Sequence, residues 1–338
     1  MSGGTVIVAR MDSMGDVLLS GPAVRALAHG ADRVVYLAGP RGAETAAALP
    51  GVDEVLTWCA PWIAADPPPV DAADVTRLVR RLSDPGADAA VILTSFHQSP
   101  LPMALLLRMA GVPRVSAVSE DYPGSLLDVR HHVAYGVPEA ERMLSLARAA
   151  GYPPPPGDDG RLAVRRPLPD TRGLTGPDGY AVVHVGADAP SRELPPALAA
   201  KTVAALAERG HRVLVTGTAG EAEAAREVAA HGAADLAGRT TVTELADVLD
   251  RAAVLVSGNT GPAHLAAAVG TPVVSLFSPV VPASAWAPHG TAVRVLGDQS
   301  APCADTRARV CPVPGHPCLN SVSSDDVLTA VDELLGAR

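Results

Sequence analysis

The sequence predicts an α/β protein built from two doubly wound domains with parallel sheets. Three observations predict it. Short β-branched apolar runs alternate with segments whose apolar residues fall at helical spacing; the alternation breaks once, in a stretch crowded with proline and glycine; and it then restarts with the same rhythm. At 338 residues and 48% hydrophobic composition, the chain can bury two cores of ordinary size.

In the first half, GTVIVAR (4–10) is a strand, followed by a loop and by VLLSGPAVRALA, which has helical spacing. Strands RVVYLAG, DAAVILT and VPRVSAV follow, with helices near 72–82 and 101–110 between them. Strands alternating with helices imply parallel pairing through right-handed crossovers. GYPPPPGDDGRLAVRRPLPDTRGLTGPDG (151–179) has no helical period and reads as a linker with room for one short strand.

After it come strand YAVVHVG, helix 195–209, strand HRVLVTG, helices 219–231 and 242–250, strand AVLVSG, helix 261–269 and strand PVVSLFS. SSDDVLTAVDELLGAR closes the chain as an acid-capped helix that could pack back across the linker. The domains are therefore set at 1–152 and 179–322, with the linker at 153–178 and the closing helix at 323–338. Ligands of such sheets bind at the C-terminal ends of the strands.

A formal charge of −9 without a basic cluster argues against nucleic acid or an anionic membrane as the main partner. Lys201 is the only lysine, and the wealth of Ala, Gly, Pro and Arg reflects GC-rich coding. No Asp, Glu, Lys or Arg lies between Arg251 and Arg294, a run long enough for a membrane span. Gly261, Gly270, Pro272, Pro279 and Pro282 cut it into pieces of helix and strand length, so it reads as buried core. With four cysteines and no signal-peptide pattern, a cytoplasmic enzyme without a transmembrane segment is expected, with peripheral membrane contact left open.

Several loops after strands carry candidate chemistry. In MDSMGDVLL, Gly15 permits a tight turn and Asp16 falls at a helix start, where it serves either as an N-cap or as a general base. Arg192, in HVGADAPSRELPP, is either a solvated loop cation or a phosphate ligand. Glu221, in VTGTAGEAEAAR, either stabilises a helix dipole or accepts bonds from a ribose diol.

In SGNTGPAHLAAAVGTP, the small residues Gly258, Asn259, Thr260 and Gly261 precede a helix whose free amides and dipole suit a diphosphate. His264 stands on the first turn of that helix, as a structural group or a ligand. In SFHQSPLP, His97 and Gln98 either face an acceptor or pack in the core.

Absences narrow the chemistry further. There is no GxxxxGK[ST] loop, no GxGxxG after a strand and no D-x-D pair, so a metal-independent reaction without a cofactor is expected. Cys303, Cys311 and Cys318, with His316, match no common zinc spacing and read as a structural loop.

DSMGDVLLSGPAVRAL, HVGADAPSRELPP, LAGRTTVTELADVLDRAAVLVSGNTGPAHLAAAVGTPVVSLFSP and CPVPGHPCLNSVSSDDV together resemble the family 9 glycosyltransferases, best known as ADP-heptose:lipopolysaccharide heptosyltransferases. Order and spacing agree over nearly the whole chain. The resemblance implies a GT-B fold, two Rossmann-like domains facing across a cleft, with the donor nucleotide on the C-terminal domain and the acceptor on the N-terminal one. It puts the catalytic base at Asp16, beside Gly15, and a phosphate-binding cation at Arg192, where the family has lysine. It further puts a ribose ligand at Glu221, the base pocket at Leu236 and Gly238, and the phosphate loop at Thr260, Gly261 and His264.

Asn259 departs from the family, which has an aspartate there, and leaves the donor sugar open. GAD after Val185 also lacks the family's hydroxyl residues. The expected function is inverting, metal-independent transfer of a sugar, heptose in the family's commonest case, from an ADP-sugar to a hydroxyl of a glycan or natural-product acceptor. The rivals are a sugar-nucleotide epimerase or hydrolase and a non-catalytic sugar-nucleotide-binding protein.

Overall fold

A computed structural model describes residues 3–336. The chain divides into two compact units between Arg165 and Arg166. The first holds strands β1 (Thr5–Arg10), β2 (Arg33–Ala38), β3 (Glu54–Thr57), β4 (Ala89–Ile92), β5 (Val115–Val118) and β6 (Val129–His131). They form one parallel sheet in the order β3-β2-β1-β4-β5-β6.

The second unit holds β7 (Ala181–His184), β8 (Val213–Thr216), β9 (Ala233–Asp235), β10 (Val254–Gly258), β11 (Val273–Leu276) and β12 (Val293–Leu296). These are parallel in the order β12-β11-β10-β7-β8-β9. Both sheets are doubly wound as expected, and each reverses direction once, between β1 and β4 in the first and between β7 and β10 in the second.

Four strands escape the sequence pattern, and they are the four sheet edges. EVLT, VRH, AAD and VRVL form β3, β6, β9 and β12, each partly exposed. An edge strand needs one paired flank and tolerates charge, so it lacks the continuous apolar run that marks β1, β4, β7 and β10. A helix over Glu139–Ala149 is likewise unforeseen; it packs against the helix Gly21–Gly30.

The single helix expected over VLLSGPAVRALA is two, Met14–Leu19 and Gly21–Gly30. The break is at Ser20, whose hydroxyl donates to the Val17 carbonyl at 2.6 Å and lies 2.8 Å from the Tyr36 hydroxyl, while Pro22 opens the second helix.

The segment 153–178 contains no strand, only the one-turn helix Arg172–Thr175. It is bonded along its length. Asp158 accepts from Arg25 Nε and Nη2 at 2.6 and 2.8 Å, the Arg165 amide donates to the Ala48 carbonyl, and Thr171 donates twice to Asp247. The closing helix Ser324–Gly336 packs on the helix Pro196–Glu208 and on β10, β11 and β12 of its own unit.

The charge-free run forms β10, the helix Gly261–Val269 and β11, with Leu255, Val256, Leu265, Val273 and Val274 fully buried. Among the described residues no helix is long and apolar enough to cross a membrane.

Candidate functional site

In the first unit the direction reverses between β1 and β4, so the loops after these strands meet at the sheet edge. Arg10, the last residue of β1, is wholly buried there. Its Nη2 donates to Asp16 Oδ1 at 2.7 Å and to Ser95 Oγ at 2.9 Å, and its Nη1 donates to the Leu93 carbonyl at 3.0 Å. Its Nε lies 2.9 Å from Asp12, and Glu139 is 3.9 Å from Nη1. Burial by itself would lower the Arg10 pKa, but the carboxylates of Asp12, Asp16 and Glu139 outweigh it and hold the guanidinium charged above its ordinary range.

Asp16 is the third residue of the helix Met14–Leu19, with Ser13 as the N-cap, so capping is not its work. Its side chain keeps 20% exposure, and its Oδ2 accepts from the Ser13 hydroxyl at 3.3 Å. A carboxylate held by a buried guanidinium on one oxygen and by a hydroxyl on the other, with part of its surface still in water, is placed to take up a proton. Gly15, expected in a tight turn, is instead the buried second residue of that helix.

Gln98 is tied into the same loops: its Nε2 donates to Asp12 Oδ1 at 2.6 Å and its Oε1 accepts the Ser95 amide at 3.1 Å. His97 is exposed and stands edge-on to Phe96. Beneath the cluster, burial pushes the Glu139 carboxyl above its usual range and the Arg142 guanidinium below its own, and Arg142 donates to the Thr94 carbonyl.

Arg10, Asp12, Ser95, Glu139 and Arg142 are residues the sequence pattern did not single out. The one available signal was an arginine ending the apolar run TVIVAR, a position where an unpaired charge would be costly.

In the second unit the reversal lies between β7 and β10, and the loops after β7, β8, β9 and β10 line one edge. Gly258 ends β10; a Cβ there would lie 2.2 Å from the Arg192 carbonyl oxygen and 2.9 Å from the Leu194 nitrogen. Only glycine lets the two backbones meet, and that contact sets the Arg192 segment beside the residues that start the next helix.

That helix is Gly261–Val269, with Thr260 as an N-cap whose side chain makes no capping bond. His264 on its first turn is 4% exposed and Asn259 is 7% exposed; the Asn259 Nδ2 is buried with no acceptor within the described protein. Ser191 anchors the Arg192 segment from behind, its amide and hydroxyl donating to the carbonyls of Arg309 and Ala308 at 3.0 and 2.6 Å.

Glu221 accepts the Thr218 amide on Oε2 at 2.7 Å, the capping-box contact that closes the turn Ala219–Glu221 before the helix Ala222–Ala229. Its other oxygen covers Gly186, at φ +82, where a Cβ would fall 1.9 Å away. Burial and the Glu221 charge raise the neighbouring Glu193 carboxyl above its usual range. Leu236, fully buried, and Gly238 follow β9, and the Gly238 amide donates to the Gly217 carbonyl at 2.9 Å. The structure thus brings Arg192, Glu221, Leu236, Gly238, Asn259, Thr260, Gly261 and His264 to one edge.

Cys303 and Cys318 are buried and Cys311 half-buried, all as free thiols; Cys303 and Cys311 flank the Ala308–Arg309 stretch that backs Ser191, and Cys318 lies in the short helix Pro317–Asn320. Among the described residues no group of three or more His, Cys, Asp or Glu is arranged to hold a metal.

Comparison with known proteins agrees with this geometry. The profile of Glycosyltransferase family 9 (heptosyltransferase) matches residues 75–316. Lipopolysaccharide heptosyltransferase 3 of Escherichia coli is 35% identical over 103 residues, 30% of this chain and 28% of that protein. Its counterpart in strain K12 is 37% identical over 83 residues, 23% of this chain and 24% of that one. The chain therefore aligns to less than a third of the length of the curated relatives it matches.

Likeness of fold extends much further. The structure of E. coli ADP-heptose lps heptosyltransferase II superposes with a TM-score of 0.75 at 21% identity, covering 98% of this chain and 99% of that one. A glycosyl transferase family 9 protein from Veillonella parvula gives 0.77 at 16% identity, covering 99% and 98%. On the profile match, which takes in β4 to β6 of the first sheet and the whole edge of the second, this chain belongs to glycosyltransferase family 9.

Proposed function

We propose that the chain is a cytoplasmic glycosyltransferase that moves a sugar, heptose in the first instance, from an ADP-sugar to a hydroxyl of a glycan or natural-product acceptor. The observation that carries this reading is the backbone contact at Gly258, which sets a helix amino end, a loop arginine and a buried unsatisfied amide together at the reversal point of the second sheet. A nucleoside diphosphate fits that combination: anionic oxygens for Arg192 and the first-turn amides, and a ribose diol for Glu221.

In the mechanism, Asp16 takes the proton of the acceptor hydroxyl as its oxygen attacks the anomeric carbon. The bond from that carbon to the diphosphate oxygen breaks in the same step, so the configuration inverts. Arg192 and the amides at Gly261 meet the charge that develops on the departing ADP, which makes a metal dispensable. Arg10 does not touch the substrate; it holds Asp16 in place for the proton transfer.

Replacing Asp16 by Asn keeps shape and removes the base. Turnover is expected to fall by about two to four orders of magnitude while the thermal stabilisation by ADP persists. An Asp16→Asn enzyme with wild-type turnover removes the base assignment. A protein stabilised by uridine or guanosine diphosphate but not by ADP removes the heptose reading, and one that consumes donor without acceptor is a hydrolase or epimerase.

A further inference from the structure

The sheet edge that carries Asp16 also carries a row of aromatic side chains that the base cluster does not use. Phe96 follows β4, Tyr122 follows β5 and Tyr135 follows β6; these strands are parallel neighbours, so their following loops leave the sheet at the same edge. Phe96 stands edge-on to His97, with centroids 5.4 Å apart and planes at 79°, and to Tyr135, at 5.7 Å and 84°. Aromatic residues make up only 3% of the chain, yet Tyr135 is 64% exposed and Tyr122 86% exposed. A fold so short of rings has no reason of core packing to leave them in water together.

The row is fixed to the base from both ends. Ser95, directly before Phe96, shares Arg10 Nη2 with Asp16. Glu139, four residues after Tyr135, lies 3.9 Å from Arg10 Nη1, and Arg142 on the same helix donates to the Thr94 carbonyl. The neighbouring cations are engaged: Arg10 and Arg142 with carboxylates and carbonyls, and Arg130 with the carbonyls of Ser119 and Glu120. Exposed ring surface, at Tyr135 above all, suits stacking against a neutral ring.

We infer that Phe96, His97 and Tyr135 form the acceptor platform, binding a neutral, ring-bearing acceptor whose face lies on Tyr135 and whose hydroxyl reaches Asp16. Its assignment as the acceptor side rests on the transferase reading; binding of the ring does not. Two sources share this chemistry, the C–H face of a sugar and the π face of an aromatic aglycone.

Saturation-transfer NMR on the full chain, with 4-methylumbelliferone and methyl glucoside as separate probes and ADP stabilisation recorded alongside, tests it. At least one probe should bind the wild type, and which one does identifies the source. Tyr135→Ala should weaken that binding by about tenfold and Tyr135→Phe should restore it, because the ring and not its hydroxyl makes the contact. Tyr135 is exposed, so the variant folds; an unchanged ADP shift confirms this. If neither probe binds at millimolar concentration, or if Tyr135→Ala and Phe96→Ala both bind as the wild type does, the platform is overturned. Loss of the ADP response with probe binding intact overturns the donor reading alone.

Discussion

Arg10 Nη2 donates at once to Asp16 Oδ1 at 2.7 Å and to Ser95 Oγ at 2.9 Å, so one buried nitrogen fixes the loop after β1 to the loop after β4. Lysine keeps the charge but cannot donate in two fixed directions while also reaching Asp12 and the Leu93 carbonyl. Arg10→Lys is expected to lower turnover by about 10- to 100-fold and leave ADP stabilisation unchanged, which steady-state kinetics and thermal shift measure together. Arg10→Met strands the buried carboxylates and should cost about 3–5 kcal/mol in denaturant unfolding.

Gly258→Ala tests the contact that brings Arg192 to the helix start. Its Cβ would meet backbone on both sides, at 2.2 and 2.9 Å, and backbone cannot swing aside as a side-chain tip can. The substitution should destabilise by about 1–3 kcal/mol and weaken ADP binding, read by denaturation and calorimetry.

Asn259 leaves Nδ2 buried with no acceptor, an arrangement that costs free energy until a ligand supplies one. Asn259→Ala should leave the ligand-free protein as stable as before or more so, and leave ADP affinity unchanged. Affinity for the whole sugar nucleotide should fall by about tenfold. Equal loss for ADP and the sugar nucleotide would place the amide on the phosphates instead.

His184, on β7, is buried with its Nδ1 3.0 Å from the Thr216 hydroxyl, and burial pushes its pKa down to about 4. As pH falls through the ordinary histidine range, the unfolded chain takes up a proton that the folded chain refuses until about pH 4. Stability is therefore lost on acidification between those two values, by up to about 3 kcal/mol from this residue. The difference between wild type and His184→Gln, followed by denaturant unfolding from pH 7.5 to 4.5, should show it.

The sequence by itself determined the two doubly wound sheets, because central strands buried on both faces must be written as apolar runs such as TVIVAR, AVVH and VLVSG. It also located the helix start at Thr260–Gly261, since small residues before an apolar helix carry a local backbone meaning. The edge strands β3, β6, β9 and β12 left no such mark, having water on one flank.

Only the tertiary structure decided what holds Asp16. Ser95 and Glu139 lie far from Arg10 in the chain; Ser95 meets it because the β1-to-β4 reversal brings their loops together, Glu139 because its helix packs on the helix Gly21–Gly30, while Asp12 and Asp16, near in sequence, turn towards the same guanidinium. It also decided that Gly258 touches Arg192, a contact between backbones that residue types do not record. Local sequence encodes periodicity and turn chemistry; partnerships across the sheet edge arise from strand order, which no local pattern spells out.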